Sequence, residues 1–205
     1  MKNPFAPLIS VILTGCTVMG IRSSAEPEYQ LLSESGEIQI RQYPPLLIAE
    51  TVIDADYAQA GNIGFNRLVG YIFGGNQQKQ QMAMTTPVFR ESAGEQIAMT
   101  TPVSQQAVDN KWTMAFVMPS GYSLDTLPTP IDSQVTIKAL PAKKVAVLRY
   151  SGSLTLEKIN ENSRQLQAWI EQQHLTPLSA PRSAAYDPPW TLPALRRNEI
   201  HIDIE

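Results

Sequence analysis

Two stretches of the chain follow the same pattern, and this repetition limits the folds that are open to it. Residues 38–44 (IQIRQYP) resemble residues 135–141 (VTIKALP). Each stretch is followed by an apolar segment typical of a strand and then by an amphipathic segment typical of a helix. The final segment, residues 198–204, alternates apolar and polar side chains as a strand does. Two β-α-β-β units predict an α+β fold in which one antiparallel sheet carries two helices.

The hexapeptide AMTTPV also occurs twice, at residues 83–88 and at residues 98–103. Its Thr-Thr pair favours extended backbone, and a proline holds the preceding threonine in an extended conformation. Because proline withholds an amide from the sheet, each copy predicts a strand edge or a bulge. We therefore interpret the hexapeptide as a duplicated strand, over about residues 82–91 and 96–105, and not as a duplicated active site.

Turn and cap residues set the boundaries of the other predicted elements. The Ser-Gly pair at residues 35–36 indicates a hairpin turn. Asp56 is a suitable N-cap for a first helix over residues 57–73, and a second helix is predicted over residues 155–173. A strand is predicted over residues 111–118.

The two predicted helices differ in the amount of apolar surface that they carry. At 100° per residue, apolar and glycine positions cover roughly 200° of the first helix but about 140° of the second. The surplus on the first helix is the side formed by Phe65, Val69 and Phe73. Such a face must be buried against something. Either the proline-rich loop at residues 186–193 covers it, or helix and loop border a groove that takes a flat apolar ligand.

Composition excludes several classes of function. The chain has 205 residues, 43% of them hydrophobic, which is a length for one domain with a proper core. Its net charge is −3 and it carries no basic stripe, so we expect no nucleic-acid partner. We find no Ser-His-Asp arrangement, no clustered metal-ligand spacing, no glycine-rich phosphate loop and no isolated acid on an apolar face. The sequence therefore predicts a protein that is not an enzyme.

The N-terminus has the pattern of an export signal. Lys2 precedes a mostly apolar run over residues 5–13, which is too short to span a bilayer but has the length of a signal-peptide core. The following Leu-Thr-Gly-Cys resembles a bacterial lipobox, which implies lipidation of Cys16. We expect a signal peptide over residues 1–15, a lipidated tether over 16–27 and a folded domain over 28–205. The alternatives are an ordinary secretory signal or an uncleaved anchor.

The residue after the lipidated cysteine is Thr17, and no aspartate is present there to favour retention in the inner membrane. The lipobox resemblance therefore implies a lipoprotein that faces the periplasm from the outer membrane. Its membrane contact would be made through the lipid anchor.

Three motifs together resemble the SOUL heme-binding proteins. They are MTTPV at residues 84–88, YDPP at residues 186–189 and RRNE at residues 196–199. The similarity covers about residues 28–204. It implies a distorted antiparallel β-barrel with two α-helices in a pseudo-twofold repeat, a fold that bacterial effector-binding domains share.

The same resemblance implies a binding site for heme or a related porphyrin in a shallow apolar groove on the first helix, closed by the loop before the last strand. Some family members carry lysines at the positions of Gly70 and Thr191, where they can meet heme propionates, and this chain lacks both. Arg67 points away from the groove by helical phase, which leaves Arg196 and Arg197 as other cations. The site residues that the resemblance implies are Asn62, Phe65, Val69, Gly70, Phe73, Trp190 and Thr191.

No residue stands out as an iron ligand. His201 alternates with isoleucines on the last strand and is predicted to face water, and His174 lies at the end of the second helix. Tyr43 lies in the region where some relatives hold a ligating histidine, but we expect it to pack in the core, as we do for Met82, Met84 and Met99. The sequence thus predicts non-catalytic tetrapyrrole binding, weak or without an axial protein ligand, and no metal site. The alternatives are a module that docks a protein or another apolar molecule in the same groove, and a hydrolase.

Overall fold

The computed structural model describes residues 24–93 and 111–205. The second hexapeptide, the strand predicted over 96–105, Met99, the signal peptide and Cys16 lie outside these residues. The strands are β1 (Gln30–Ser35), β2 (Ile38–Tyr43), β3 (Leu46–Asp54), β4 (Val88–Ser92), β5 (Lys111–Val117), β6 (Thr136–Leu140), β7 (Lys143–Tyr150), β8 (Arg182–Ala185) and β9 (Asn198–Ile204); the helices are α1 (Tyr57–Ile72) and α2 (Leu156–Gln172), with a 3₁₀ turn at Pro193–Leu195.

The strands form one antiparallel sheet of nine strands in the order β1-β2-β7-β9-β8-β4-β5-β3-β6, which curls into a half-barrel. The two halves of the chain are interleaved in this order, because β2 of the first half pairs with β7 of the second and β4 pairs with β8. Each half contains the predicted β-α-β-β unit, preceded by two further strands in the first half and by one in the second. The predicted α+β fold, a distorted antiparallel barrel with two helices, is confirmed.

Both helices pack on the same face of the sheet, α1 on β3 and β5 and α2 on β7 and β9. Leu68, Tyr71 and Ile72 of α1 fill one core with apolar side chains of β3 and β5. Leu166 and Ile170 of α2 fill a second core with the isoleucines of β9. The other face, lined by alternate residues of the same strands, forms the inside of the half-barrel, which the helices do not cover.

The predicted helix boundaries are confirmed to within one residue. The Asp56 side chain accepts a hydrogen bond from the Gln59 amide at 2.9 Å and caps α1, as an N-cap residue does. Thr155 caps α2 in the same way through the amide of Lys158. Neither helix, nor any other in the described parts of the chain, is both long and apolar enough to cross a membrane.

The strand predicted over residues 82–91 is too long, since β4 begins only at Val88. Pro87 has no amide to give to the sheet, and the donors before it bond elsewhere. The Thr85 hydroxyl donates to the carbonyl of Val117, and the Thr86 amide donates to Ala25 at 3.0 Å. Residues 83–87 of the first AMTTPV copy are therefore the connection into β4, and only Val88 belongs to the strand. Strand β8 was not predicted, because RSAA carries neither alternation nor large β-branched side chains.

Alanine substitutions at two glycines of α1 are expected to change the free energy of unfolding in opposite directions. A Cβ at Gly64 would lie 2.9 Å from Ile53 Cδ1 and 3.1 Å from Met114 Cβ, whereas a Cβ at Gly70 would meet nothing within 4 Å. We expect Gly70→Ala to raise the free energy of unfolding by up to about 1 kcal/mol through helix propensity. Gly64→Ala should lower it, because overpacking typically costs about 1–3 kcal/mol. Urea denaturation of the full chain measures both, and equal effects of the two changes would contradict the packing of α1 on β3 and β5.

Candidate functional site

The surplus apolar side of α1 is exposed. Phe65 is 37% exposed and Phe73 is 58% exposed, although the Phe65 ring also packs edge-on against Phe116 of β5 at 5.7 Å. Val69 lies between them and is partly buried against the α1 core. Asn62 and Gly70 are exposed on the same helix. The five helix residues predicted for the site therefore form an accessible surface with two aromatic rings.

The loop before β9 does not bury this surface. Trp190 is itself 64% exposed, and Thr191 is buried. The Arg196 side chain donates to the backbone carbonyls of Thr191 and Pro189, which fixes the loop from within. One interpretation of the surplus apolar side was that the loop at residues 186–193 covers it. This interpretation is wrong for Phe65 and Phe73, which are exposed. The contribution of Trp190 and Thr191 to a shared groove stays a prediction.

The cations suggested for heme propionates are already engaged. Arg196 holds its own loop, and Arg197 forms ion pairs with Glu26 at 3.0 Å and with Glu199 at 2.8 Å. Arg67 donates to the Thr51 hydroxyl and the Val52 carbonyl of β3, on the side of α1 away from Phe65, as its helical phase predicts.

A buried network of charges lies on the inside of the half-barrel and is centred on Glu199. Arg41 forms two hydrogen bonds with this carboxylate, at 2.9 and 3.0 Å. The Tyr186 hydroxyl donates to it at 2.7 Å, and Arg197 and His201 contact it at 2.8 Å. Burial alone would raise the pKa of Glu199, but its hydrogen bonds with His201 and Arg41 and their charges hold that pKa well below its usual range.

The prediction that His201 faces water is wrong. Its side chain is 1% exposed and packs edge-on against Phe89 at 5.3 Å. Strand β9 lies between β7 and β8 in the middle of the sheet, so both of its faces are buried and alternation does not separate core from solvent. Burial lowers the pKa of His201, against the opposing effect of the Glu199 carboxylate.

A cavity of about 250 Å³ lies beside this network, on the same face of the sheet. Glu91 of β4 lines it, and its carboxylate has no hydrogen bond or ion pair with any residue that the structure describes. Burial raises the pKa of Glu91. Glu50, Lys143, Arg182 and Asp203 also line the cavity and affect the pKa of Glu91, so Glu91 is not an isolated acid on an apolar face. The apolar lining includes Tyr43, Leu46, Ile48, Phe89, Leu140, Val145 and Leu178.

No group of three or more metal-ligating side chains occurs in residues 24–93 and 111–205. Tyr43 is buried and its hydroxyl accepts a hydrogen bond from Arg41 at 3.1 Å, so it packs in the core as expected. Met82 and Met84 pack in or against the α1 core.

A sequence profile described as SOUL heme-binding protein matches residues 24–203, which is most of the chain. The chain belongs to the SOUL heme-binding protein family. This confirms the family that the three motifs indicated. None of the curated proteins compared with the chain matches it.

Solved structures similar to this SOUL protein agree on the fold. The crystal structure of the EcmrR C-terminal domain has a TM-score of 0.57 at 12% identity, over 86% of this chain and 98% of that one. EcmrR in a DNA complex has a TM-score of 0.59 at 13% identity, over 86% of this chain but 57% of that one. A hydrolase from Listeria innocua has a TM-score of 0.52 at 9% identity, over 85% and 94%. At these identities the likeness concerns the fold alone.

The SOUL motifs before β9 have a structural role in this protein. The Tyr186 hydroxyl bonds Glu199, and the Asp187 carboxylate accepts a hydrogen bond from the Arg197 amide at 2.6 Å. The Asn198 side chain donates to the Gly152 carbonyl at 3.0 Å. These residues hold the loop to the sheet and so position Trp190 indirectly.

Arg41 provides a test of the network. We expect Arg41→Met to lower the free energy of unfolding by about 3–5 kcal/mol, because it leaves a buried carboxylate without its main partner. Lys158→Met, which breaks the exposed Lys158–Glu161 pair at 2.8 Å, is the matched control and should leave stability nearly unchanged. Urea denaturation of both variants measures the difference, and a mild effect of Arg41→Met would show that the network contributes little.

Proposed function

We propose that this protein binds heme or a related tetrapyrrole on the exposed apolar side of α1, without catalysis. The observation that carries the proposal is the exposure of Phe65 and Phe73 on one side of a helix in a member of a heme-binding family. A flat macrocycle laid on these rings removes apolar surface from water, and each Å² so buried stabilises a complex by about 25 cal/mol.

The described residues fit the macrocycle better than they fit its iron. His201 lies on the opposite face of the sheet and is hydrogen-bonded to Glu199, and His174 follows the end of α2. Neither histidine lies on α1. Bound heme would supply an iron centre, but we propose that the protein holds the porphyrin through ring contacts, weakly or without an axial side-chain ligand.

The same surface supports an alternative, in which α1 docks a protein segment or another apolar molecule and porphyrin binding is incidental. Exposed aromatic side chains are typical of both kinds of site. A stoichiometric partner that copurifies with the full chain, and is lost on substitution of Phe65, would favour this alternative.

A third hypothesis, hydrolysis, rests on the partly buried Glu91 in the cavity inside the half-barrel. A carboxyl group with a raised pKa can act as a general acid or base near neutral pH. A screen of small esters and amides that finds turnover abolished by Glu91→Gln would support it and would contradict the non-catalytic proposal.

We further propose that Cys16 is lipidated and that the protein faces the periplasm from the outer membrane. The support is the Leu-Thr-Gly-Cys motif after an apolar run of signal-peptide length. Cells labelled with a tritiated fatty acid should yield a labelled protein that fractionates with outer membranes, and Cys16→Ser should abolish the label. An unlabelled wild-type protein would contradict the anchor.

Hemin titration of the full chain, followed at the Soret band in a fixed concentration of mild detergent, tests the binding site. We expect saturable binding that Phe65→Asp weakens at least about tenfold, because a carboxylate placed under an apolar ring loses hydration without gaining a partner. Leu178→Asp is the matched control, since Leu178 is 57% exposed and lines the cavity on the other face.

Unchanged binding in Leu178→Asp together with weakened binding in Phe65→Asp places the porphyrin on α1. The reverse result would move the ligand to the cavity, and no saturable binding by the wild type would contradict the proposed function. A micelle-only titration corrects for porphyrin that partitions into detergent.

A further inference from the structure

Arg90 is a partly buried cation that has no carboxylate partner among the described residues. Its side chain leaves β4 on the face that carries the helices, and its guanidinium lies 3.5 Å above the centre of the Tyr57 ring. One nitrogen donates to the Tyr57 carbonyl at 3.2 Å. No acid among the described residues forms an ion pair with it. Burial lowers the pKa of Arg90 to about 10, which reflects a charge held away from water without full compensation.

Two further hydrogen-bond donors in the same region have no acceptor within the described structure. Trp112 Nε1 and the Tyr150 hydroxyl are both buried and unbonded. The Trp112 ring packs edge-on against the Tyr57 ring, with 5.1 Å between the ring centres. Arg90 covers the same Tyr57 ring. Tyr150 is close enough for its hydroxyl and the Arg90 charge to affect each other's pKa. A buried donor that lacks an acceptor is unfavourable, so the surroundings of Arg90 are rich in donors and poor in acceptors.

The region adjoins the exposed side of α1. Arg90 passes beneath Gly61, where a Cβ would lie 2.5 Å from its Nη1 atom. Gly61 and Phe65 are four residues apart and therefore lie on the same side of the helix. Arg90 is thus at the N-terminal end of the surface that Phe65 and Phe73 form. Arg90 keeps part of its surface accessible, whereas the Trp112 Nε1 and Tyr150 hydroxyl atoms are buried.

We propose that Arg90 binds a carboxylate of the ligand. This inference rests on the proposed function, in which the ligand is a tetrapyrrole whose side-chain carboxylates project from the edge of an apolar plate. A guanidinium can donate two parallel hydrogen bonds to a carboxylate, and such charge-assisted bonds are stronger than neutral ones. The site then replaces the lysines that some SOUL proteins carry at the positions of Gly70 and Thr191.

Competing cations are less suited to this role. Arg196 and Arg197 bind backbone carbonyls and carboxylates of the protein itself. Arg67 lies on the other side of α1, against β3. Among these arginines, Arg90 alone is both close to the apolar side of α1 and without an acidic partner in the described residues.

Two metal-free porphyrins separate the carboxylate contact from ring binding. Protoporphyrin IX carries two propionates, and its dimethyl ester has the same ring without the charges. We expect the full chain to bind the diacid at least about tenfold more tightly than the diester, measured by porphyrin fluorescence in the detergent buffer with a micelle blank. Arg90→Met should reduce diacid affinity to that of the diester and leave diester affinity unchanged. Arg67→Met is the matched control, since it removes one charge from α1 on the opposite side.

A measurement on the wild-type protein tests the same contact even if the Arg90→Met variant does not fold. The chain has three tryptophans, so its ¹H–¹⁵N spectrum contains three indole signals, and Trp112→Phe identifies one of them. The Trp112 indole N–H signal should move on addition of the diacid and stay in place with the diester.

The outcomes distinguish this inference from the proposed function. Equal binding of both porphyrins by the wild type, or equal losses in Arg90→Met and Arg67→Met, would overturn the role of Arg90 while ring binding on α1 stands. No saturable binding of either porphyrin would contradict the proposed function and the inference together.

Discussion

The ion pair between Arg41 and Glu199 is the interaction on which the rest of this structure depends. Arg41 belongs to β2 in the first half of the chain and Glu199 to β9 in the second, and both side chains are fully buried. Removing two charges from water is costly unless each hydrogen bond is made. Tyr186, His201 and Arg197 complete the set around the carboxylate, so β2, β9 and the loop before β9 must adopt one relative arrangement. A shifted strand register would leave a charge unpaired, which makes the network a determinant of which fold forms as well as of its stability.

The two faces of the sheet differ in the side chains that they carry. The inside of the half-barrel holds charged side chains and a cavity, and the outside holds two apolar cores beneath the helices. Leu68, Tyr71 and Ile72 attach α1 to the sheet, whereas Phe65 and Phe73 keep 37% and 58% of their surface exposed. This exposed apolar surface is available for a ligand.

Local signals in the sequence predicted the elements well, and their failures have a common cause. Asp56 and Thr155 mark the helix starts, and the wide apolar arc of α1 led to its exposed face. The roles of His201, Glu91 and Arg90 could not be predicted, because each depends on the position of a strand within the sheet and not on its own sequence. Alternation identifies two sides of a strand, but only the strand order decides which sides meet solvent, a cavity or a helix. Polar residues at regular positions in IQIRQY and NEIHIDI were the available signal that β2 and β9 share a buried network.

Two locally unfavourable features lie next to each other at α1, and their proximity is the strongest physical argument about the ligand. Exposed phenylalanine rings favour an apolar partner, whereas a partly buried arginine without an acidic partner in the described residues favours an anion. A purely apolar molecule would satisfy only the rings, and a free anion would satisfy only Arg90. An apolar plate with carboxylates at its edge satisfies both. Departures from good packing and pairing are expected to concentrate at functional sites, and here they support the proposed amphiphilic ligand, whose charged edge would point toward the N-terminal end of α1.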